Sequence, residues 1–376
     1  MLNFTSRAIS ALALILGSFS AASADELPAA TKKALVELKL ESSIMDGLEA
    51  ELDIPKAWVD GAAREKGGVI ILGTWQDAEF RRITESFIER YPSIKLSYAR
   101  SASAARGINV LVALNSGRVI ADVITSVGDS YSEFKAQKAL ADLRDLPGIK
   151  SLAPEYVDDD GNWIAHKIGY RCMSYNTELV KRSDLPKTWD DLLTNPIWRG
   201  GKIALSNTPN AWLLALWSAK GEVWGKRFTD RLFTELRPQK RKEGMMAVTS
   251  LAVAGEFYAN IPAPERRVEQ YANKGAPISY HCPEPVPITL SQIVMLEKAE
   301  RKNGARIFIN WLISREGQIM QYVANASVPV HKSLQDTRFV PFSETIVGKS
   351  SIARGEDMFG DAATKMDETW SAHWAK

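Results

Sequence analysis

Four short segments of the chain gather side chains able to hold a small polar molecule. They are Thr74, Trp75 and Gln76; Arg100, Ser101, Ala102 and Ser103; Ser126, Val127, Gly128, Asp129 and Ser130; and Asn207, Thr208, Pro209 and Asn210. Each follows an apolar run and precedes a stretch of helical periodicity, so each reads as a strand-to-helix loop. A helix start offers unpaired N–H groups and about half a positive charge, which favours an anion. In the expected chemistry Arg100 and the amides of Ser101 and Ser103 hold an acid group, while Trp75 and Tyr258 contact the body of the molecule. Thr74, Gln76, Ser126, Asn207, Thr208, Asn210 and Trp212 complete the expected ligand-binding set. Taken singly, Ser101, Ser126, Asn207 and Asn210 read as helix caps. Their recurrence after successive strands is what points to a site.

No pattern for bond breaking accompanies these loops. His166, His281, His331 and His373 are far apart and show no metal spacing. The chain has no HExxH, no nucleotide-binding glycine loop and no GxSxG elbow. Neither a cofactor nor a metal is expected, and the reading is a binding protein rather than an enzyme. The basic run at 237–242 reads as a solvated face. Among eleven tryptophans, Trp75 and Trp212 lie near the loop edges and are the better ligand candidates.

The elements that must position the loops follow from hydrophobic periodicity. Residues 25–66 are rich in Ala, Leu, Glu and Lys and read as helical, with Pro55 opening a helix over 55–64. Residues 69–72 have the continuous apolar character of a strand buried on both faces. The helix after Gln76 is expected to bury Phe80, Ile83, Phe87 and Ile88. Ile94, Leu96 and Tyr98 alternate as a second strand. A helix carrying Ile108, Leu111 and Val112 follows, and 119–124 forms a third strand. This alternation predicts a parallel, doubly wound sheet. A second unit runs from a strand at 202–205 through a helix with Trp212, Leu213, Leu216 and Trp217. A helix at 244–254 and a strand near 257–260 complete it. Residues 277–281 read as a strand returning to the first unit. The expected molecule is α/β and bilobal, with a cleft.

Of 376 residues, 45% are hydrophobic and 24% charged, which excludes a disordered or collagen-like chain. A net charge of +2 without a basic stripe excludes a nucleic-acid footprint, so no nucleic-acid partner is expected. Residues 1–24 read as a secretory leader: Arg7, an apolar run over 9–19, then Ala22, Ser23 and Ala24 before the cut. Export to the periplasm with cleavage after Ala24 is the expectation.

Several motifs in order carry a resemblance. Tyr91, Pro92, Ser93, Ile94, Lys95 and Leu96 close the first helix, and Ala121, Asp122, Val123 and Ile124 make the third strand. Tyr175, Asn176 and Thr177 follow, then Leu185 through Leu192 (LPKTWDDL) and Trp198 through Ala204 (WRGGKIA). Trp311 through Gln318 (WLISREGQ) and Val328, Pro329 and Val330 come near the end. From about 67 to 340 the chain resembles the type II periplasmic solute-binding proteins of ABC importers, a group that includes ferric-iron, polyamine and phosphonate or sugar-phosphate binders. The resemblance implies two doubly wound lobes joined by crossover strands and closing on a solute. It also implies a monomer that delivers a small-molecule solute to an inner-membrane permease. The division it suggests is an extension at 25–66, lobe 1 at 67–170 and 283–340, lobe 2 at 171–282, and a C-terminal helical segment at 341–376.

Ferric members supply adjacent tyrosines where this chain has only Tyr258 after Gly255, Glu256 and Phe257. Iron is therefore disfavoured, and a polyamine is opposed by Arg100. A small polar or anionic organic solute fits best. The alternatives are a ferric-iron binder, a sensory receptor and, last, an enzyme on the same scaffold. Cys172 and Cys282 fall in or beside the two segments placed as crossovers, 169–175 and 277–281. They are expected either to form a disulfide across paired strands or to stay buried free thiols.

Overall fold

The computed structural model describes residues 27–101, 103–127, 130–353 and 361–375. The expected leader and its cut, together with Ala102, Gly128 and Asp129, lie outside them. Three short helices come first: α1 (Ala29–Glu37), α2 (Leu48–Glu51) and α3 (Lys56–Ala62). Lobe 1 follows with β1 (Val69–Gly73), α4 (Asp77–Arg90), β2 (Leu96–Arg100), α5 (Ser103–Asn115), β3 (Val123–Thr125) and α6 (Tyr131–Ala136). The long β4 (Ile164–Asn176) carries the chain into lobe 2. There α7 (Trp189–Thr194), β5 (Ile203–Ser206), α8 (Leu213–Lys220), α9 (Glu222–Arg231) and β6 (Gln239–Arg241) succeed one another. Next come α10 (Met245–Val253), β7 (Ala259–Pro264), α11 (Glu265–Ala272) and β8 (Ile278–His281). The return strand β9 (Val286–Met295) leads to α12 (Lys302–Ile313) and α13 (Arg315–Asn325), and β10 (Ser351–Ala353) and α14 (Asp361–Trp374) end the chain.

The strands run in the order β2-β1-β3-β9-β4-β7-β5-β6, with β10 on β9 and β8 on β4. In lobe 1, β1 is parallel to β2 and β3; in lobe 2, β5 is parallel to β6 and β7. The crossover strands β4 and β9 are antiparallel to each other, with Gly169 opposite Thr289. The first half of β4 pairs with β9 and the second half with β7 and β8. Residues 277–281 thus form a strand inside lobe 2, and the return to lobe 1 is made by β9. Pro287, which cannot donate to a ladder, weakens the strand signal of β9, although Val286, Ile288 and Leu290 alternate with Thr289 and Ser291.

Side chains explain other departures from the expected pattern. Phe80, Ile83 and Phe87 are buried on α4, but Ile88 lies a third of a turn away and is 51% exposed. On α5, Ile108 and Val112 face outward and Val110 and Leu111 face inward. The helix is rolled because Arg106, fully buried, takes part of the inner face. The strand expected near 257–260 begins later and runs through Pro262 and Pro264. These prolines cannot donate to the ladder, yet they are carried next to the crossover, where β4 has a register shift.

The N-terminal helices are sewn into lobe 1 by carboxylates at helix starts. Glu65 accepts from the Asn303 and Gly304 amides at the beginning of α12, at 2.8 and 3.0 Å. Glu51 accepts from the Arg315 amide at 2.8 Å and its Nε at 3.0 Å, at the beginning of α13. Each is an anion against the positive end of a helix. At the other end of the chain, α14 buries Met366 and Trp370 with the tryptophan-rich core of lobe 2. The segment expected to be helical at 341–376 therefore also contains β10, paired with the crossover strand β9.

Candidate functional site

Strand direction decides where the site lies. The carboxyl end of β3 at Thr125 sits opposite Ile293, and β9 and β4 lead from there toward the crossover. The carboxyl end of β7 at Pro264 sits opposite Arg171 on the same β4. The parallel strands of both lobes therefore end facing the crossover from opposite sides, and the loops that follow them flank one cleft.

On the lobe 1 side, one buried arginine organises three loops. Arg106 Nη1 donates to the carbonyl oxygens of Ser101 at 2.6 Å and Gly73 at 3.4 Å. Its Nε and Nη2 both donate to the Ser126 carbonyl, at 3.1 and 2.7 Å. The Ser101 amide is also engaged, donating to the Gly73 carbonyl at 3.1 Å, so the loop backbones are tied to one another on the buried side. Ser126 is held in the left-handed region at φ 58°, and its amide donates to the Gln292 carbonyl at 2.7 Å. Burial pushes the Arg106 pKa down, and no carboxylate lies beside it among the described residues. Gly73 is required: a Cβ there would stand 2.8 Å from the Tyr98 ring and 3.2 Å from Thr125 Oγ1. Tyr98 donates its hydroxyl to the Trp75 carbonyl at 2.7 Å. Burial, then Asp77, push the Tyr98 phenol up to about 12.

Trp75 and Trp212 do not form the expected aromatic wall. Trp75 is 1% exposed and packs on Phe80, Tyr98 and His166, the last at 5.1 Å between ring centroids. Trp212 is fully buried against Trp189 and Phe228. Both indoles are absorbed by the lobe cores because aromatic area next to a sheet is stabilised most by burial. Tyr258 is corrected more sharply. It precedes Ala259, which pairs with Tyr175 near the far end of β4, whereas the cleft end of β7 is at Pro264. A strand of six residues, ~20 Å at 3.3 Å per residue, separates it from the cleft. Its ring lies under the Lys202 ammonium at 4.4 Å.

The remaining expected residues stand as follows. Thr74 is half-buried, and Gln76 is exposed at the start of α4, where its amide donates to Glu79 at 2.9 Å. Arg100 is exposed at the end of β2, and Ser101 and Ser126 are half-buried beside it. Ser103 opens α5. In lobe 2, Thr208 is half-buried and Asn207 and Asn210 are exposed. The Asn207 carbonyl accepts from Trp370 Nε1 at 2.8 Å, so α14 already holds that side chain. Three buried hydroxyls at the strand ends, those of Thr125, Ser206 and Thr208, have no hydrogen-bond partner among the described residues. A buried hydroxyl left unmade is costly, so these oxygens mark where water or a ligand group fits.

The residues that sequence reasoning missed lie on the crossover itself. Lys167, Gly169 and Arg171 share one face of β4, the opposite face to Ile168 and Tyr170. Arg171 folds back over Gly169, where a Cβ would meet its Nη1 at 2.9 Å and Thr289 Oγ1 at 3.0 Å. Arg171 Nη1 also donates to Glu265 at 3.0 Å. Burial and then Arg266 pull the Lys167 pKa down to about 8, against the opposing pull of Glu79. Glu79 belongs to the first turn of α4 in lobe 1, and Arg266 to the first turn of α11 in lobe 2. Lys167 therefore looks into the cleft between the lobes. A lysine in an alternating strand gives no sequence signal of this.

Two neighbours of the site are structural. His166 Nδ1 meets Gln321 Oε1 at 2.9 Å, and burial pulls its pKa down to about 3, so it is neutral. Cys172 and Cys282 form a disulfide with Cα atoms 5.0 Å apart. It joins β4 to the segment just after β8, within lobe 2 and beside the crossover. Among the described residues no group of three His, Cys, Asp or Glu side chains could hold a metal ion, and no helix is long and apolar enough to cross a membrane.

Residues 119–342 match the family model described as bacterial extracellular solute-binding protein. An uncharacterized protein of Haemophilus influenzae is 24% identical over 296 residues, 72% of this chain and 80% of that one. Among solved structures, iron-bound HitA from Pseudomonas aeruginosa is similar with a TM-score of 0.65 at 18% identity, over 81% of this chain and 99% of its own. AfuA from Actinobacillus pleuropneumoniae, with fructose-6-phosphate bound, gives 0.59 at 17% identity, over 82% and 99%. A putative extracellular solute-binding protein from Bordetella parapertussis gives 0.68 at 13% identity, over 82% and 99%.

Proposed function

The chain belongs to the bacterial extracellular solute-binding proteins, and we propose that it is the periplasmic receptor of an ABC importer. It captures a small polar or anionic organic solute between two closing lobes and passes it to an inner-membrane permease. The observation that carries this reading is the opposition of two sets of parallel-strand ends across the paired strands β4 and β9. A solute touching both sets does so only when the lobes are closed, so binding favours closure. No bond in the solute is broken, and the protein acts as a monomeric receptor rather than an enzyme. The leader at 1–24 directs export, and lobe 1 comprises 67–170 and 283–340, with lobe 2 at 171–282.

The ligand set on this reading is Thr74, Gln76, Arg100, Ser101, Ser103, Ser126, Thr208 and Asn210, with Arg106 positioning the lobe 1 loops. The anionic preference is supported by Arg100 at the rim and by the uncompensated Arg106 charge behind the loops. An iron reading draws on the neighbour named as iron-bound. Against it, Tyr258, the phenol closest to the family's iron-binding motif, lies at the wrong end of β7.

Native mass spectrometry of mature residues 25–376, purified gently from the periplasm, tests the proposal. The expected result is a retained organic solute, lost on partial unfolding and accompanied by a smaller radius of gyration in solution scattering. An iron-sized adduct would replace the organic-solute reading. A chain that retains nothing and compacts with no solute from the medium would remove the receptor reading.

A further inference from the structure

The loops are not the most positive part of the cleft. Its floor is formed by the face of β4 that carries Lys167, Gly169 and Arg171. Among the described residues the Lys167 ammonium has no hydrogen bond or ion pair, and neither has the Arg266 guanidinium; Arg266 Nε is buried without an acceptor. The next residue, Arg267, also has a buried Nε without an acceptor, while its Nη2 donates to Tyr271 at 2.6 Å.

The described acids nearby do not balance these charges. The charged groups that face Lys167 are Arg266, Arg171, Glu79 and Glu265. Glu265 is taken by Arg171 at 3.0 Å, and Glu79 accepts the Gln76 amide at 2.9 Å. Glu269, one turn further along α11, feels the Arg266 charge but forms no ion pair with it. Lys167 and Arg266 are thus two cations from two elements, near enough for their charges to act on each other, and neither has a counter-ion among the described residues. Half-buried cations in that condition are costly unless an anion joins them. Gly169 lets Arg171 lie flat over the strand beside Thr289, so that Arg171 turns to Glu265 and leaves Lys167 and Arg266 as the two cations not taken by an acid.

We propose that the floor of the cleft is an oxyanion site in which Lys167 and Arg266 hold the carboxylate or phosphate ester of the solute. This rests on the receptor reading and specifies the solute: an organic acid whose anionic end enters first, with its body between the Thr74 and Thr208 loops. Lys167 belongs to the crossover strand and Arg266 to lobe 2, so the anion bridges the hinge to a moving lobe. Arg100, at the rim, is a secondary contact.

The test is a titration of the mature protein, at fixed ionic strength, with inorganic phosphate and separately with acetate, read by thermal shift and calorimetry. The variants are Lys167→Met and Arg266→Gln, each checked for a wild-type circular dichroism spectrum, with Arg100→Ala as the rim control. Saturable binding of one anion that weakens roughly tenfold or more in both floor variants, and much less in Arg100→Ala, is expected. Preference for phosphate assigns a phosphate ester, and preference for acetate assigns a carboxylate. Binding that survives in either floor variant, or absence of saturable binding to wild type, overturns the floor site. Native mass spectrometry separates the two readings. A retained neutral or cationic solute leaves the receptor standing and removes the oxyanion site.

Discussion

Arg106 donates twice to the carbonyl oxygen of Ser126, at 3.1 and 2.7 Å, and so holds a non-glycine residue in the left-handed conformation. The same guanidinium reaches the carbonyls of Gly73 and Ser101. One side chain on α5 therefore sets the mutual position of all three lobe 1 loops, without itself facing the cleft. Its charge is tolerated because four hydrogen bonds to carbonyl oxygens replace its hydration.

Replacing the fork should separate site geometry from fold. Arg106→Lys retains the charge but cannot serve three carbonyls at once. We expect a folded protein whose affinity for its retained solute falls roughly tenfold or more. Calorimetry checks this. A variant with wild-type affinity would show that the loops are positioned by other contacts.

Lys167 predicts a pH dependence of known sign. Its folded pKa is about 8, below the ordinary 10.5, with Arg266, Arg171, Glu79 and Glu265 as the charges around it. Between those two values the unfolded chain binds more protons than the folded one, so this lysine makes the unliganded protein more stable as pH rises through the window. Anion affinity moves the other way and declines above about 8 as the ammonium is lost. Titrations at several pH values, with Lys167→Met as reference, check both slopes. A variant with the wild-type pH profile would assign the effect elsewhere.

The disulfide closes a separation of 110 residues, from the crossover strand to the segment leading into its partner. Constraining a loop of that size in the unfolded chain contributes about 4–5 kcal/mol by loop-closure entropy. The double variant Cys172→Ala, Cys282→Ala should show that loss in denaturant unfolding. An unchanged midpoint would mean that the native contacts around β4 and β8 suffice.

The N-terminal extension should be indispensable to lobe 1. Burial pushes the Glu51 carboxyl up, but His331 and Arg315 outweigh it and hold the pKa below the usual 4.5. That stabilisation is present at neutral pH and is lost as acid takes the medium below the ordinary value and then through the folded one. Glu51→Gln leaves Arg315 without its counter-ion and should cost about 3 kcal/mol. Thermal melts at neutral and acid pH check this. A variant as stable as wild type at neutral pH would reduce the extension to a peripheral strap.

Tyr258→Phe should leave solute affinity unchanged, because that ring is at the end of β7 remote from the cleft. A loss of binding measured by calorimetry would contradict the position of the site.

Much of the architecture could be read from residue order alone. The buried run at β1, the amphipathic stripe Phe80, Ile83 and Phe87, and the strand-to-helix loops at Thr74, Ser126 and Asn207 are local patterns. Local patterns survive translation from sequence because burial repeats with the period of the element. They sufficed for an α/β chain with two lobes and a ligand cleft, and for the loops of lobe 1.

What only the tertiary structure decided depends on pairing between distant segments. Strand register put Tyr258 at the outer end of β7 and made β9, rather than β8, the return strand. Packing took Trp75 and Trp212 into the cores and closed Cys172 onto Cys282. Arg106, Lys167 and Arg266 look in sequence like ordinary surface charges. Their significance comes from what faces them: three inward carbonyls in one case, an unbalanced hinge floor in the other. A charge acquires such a role through burial and through neighbours dozens of residues away, and no local periodicity records either.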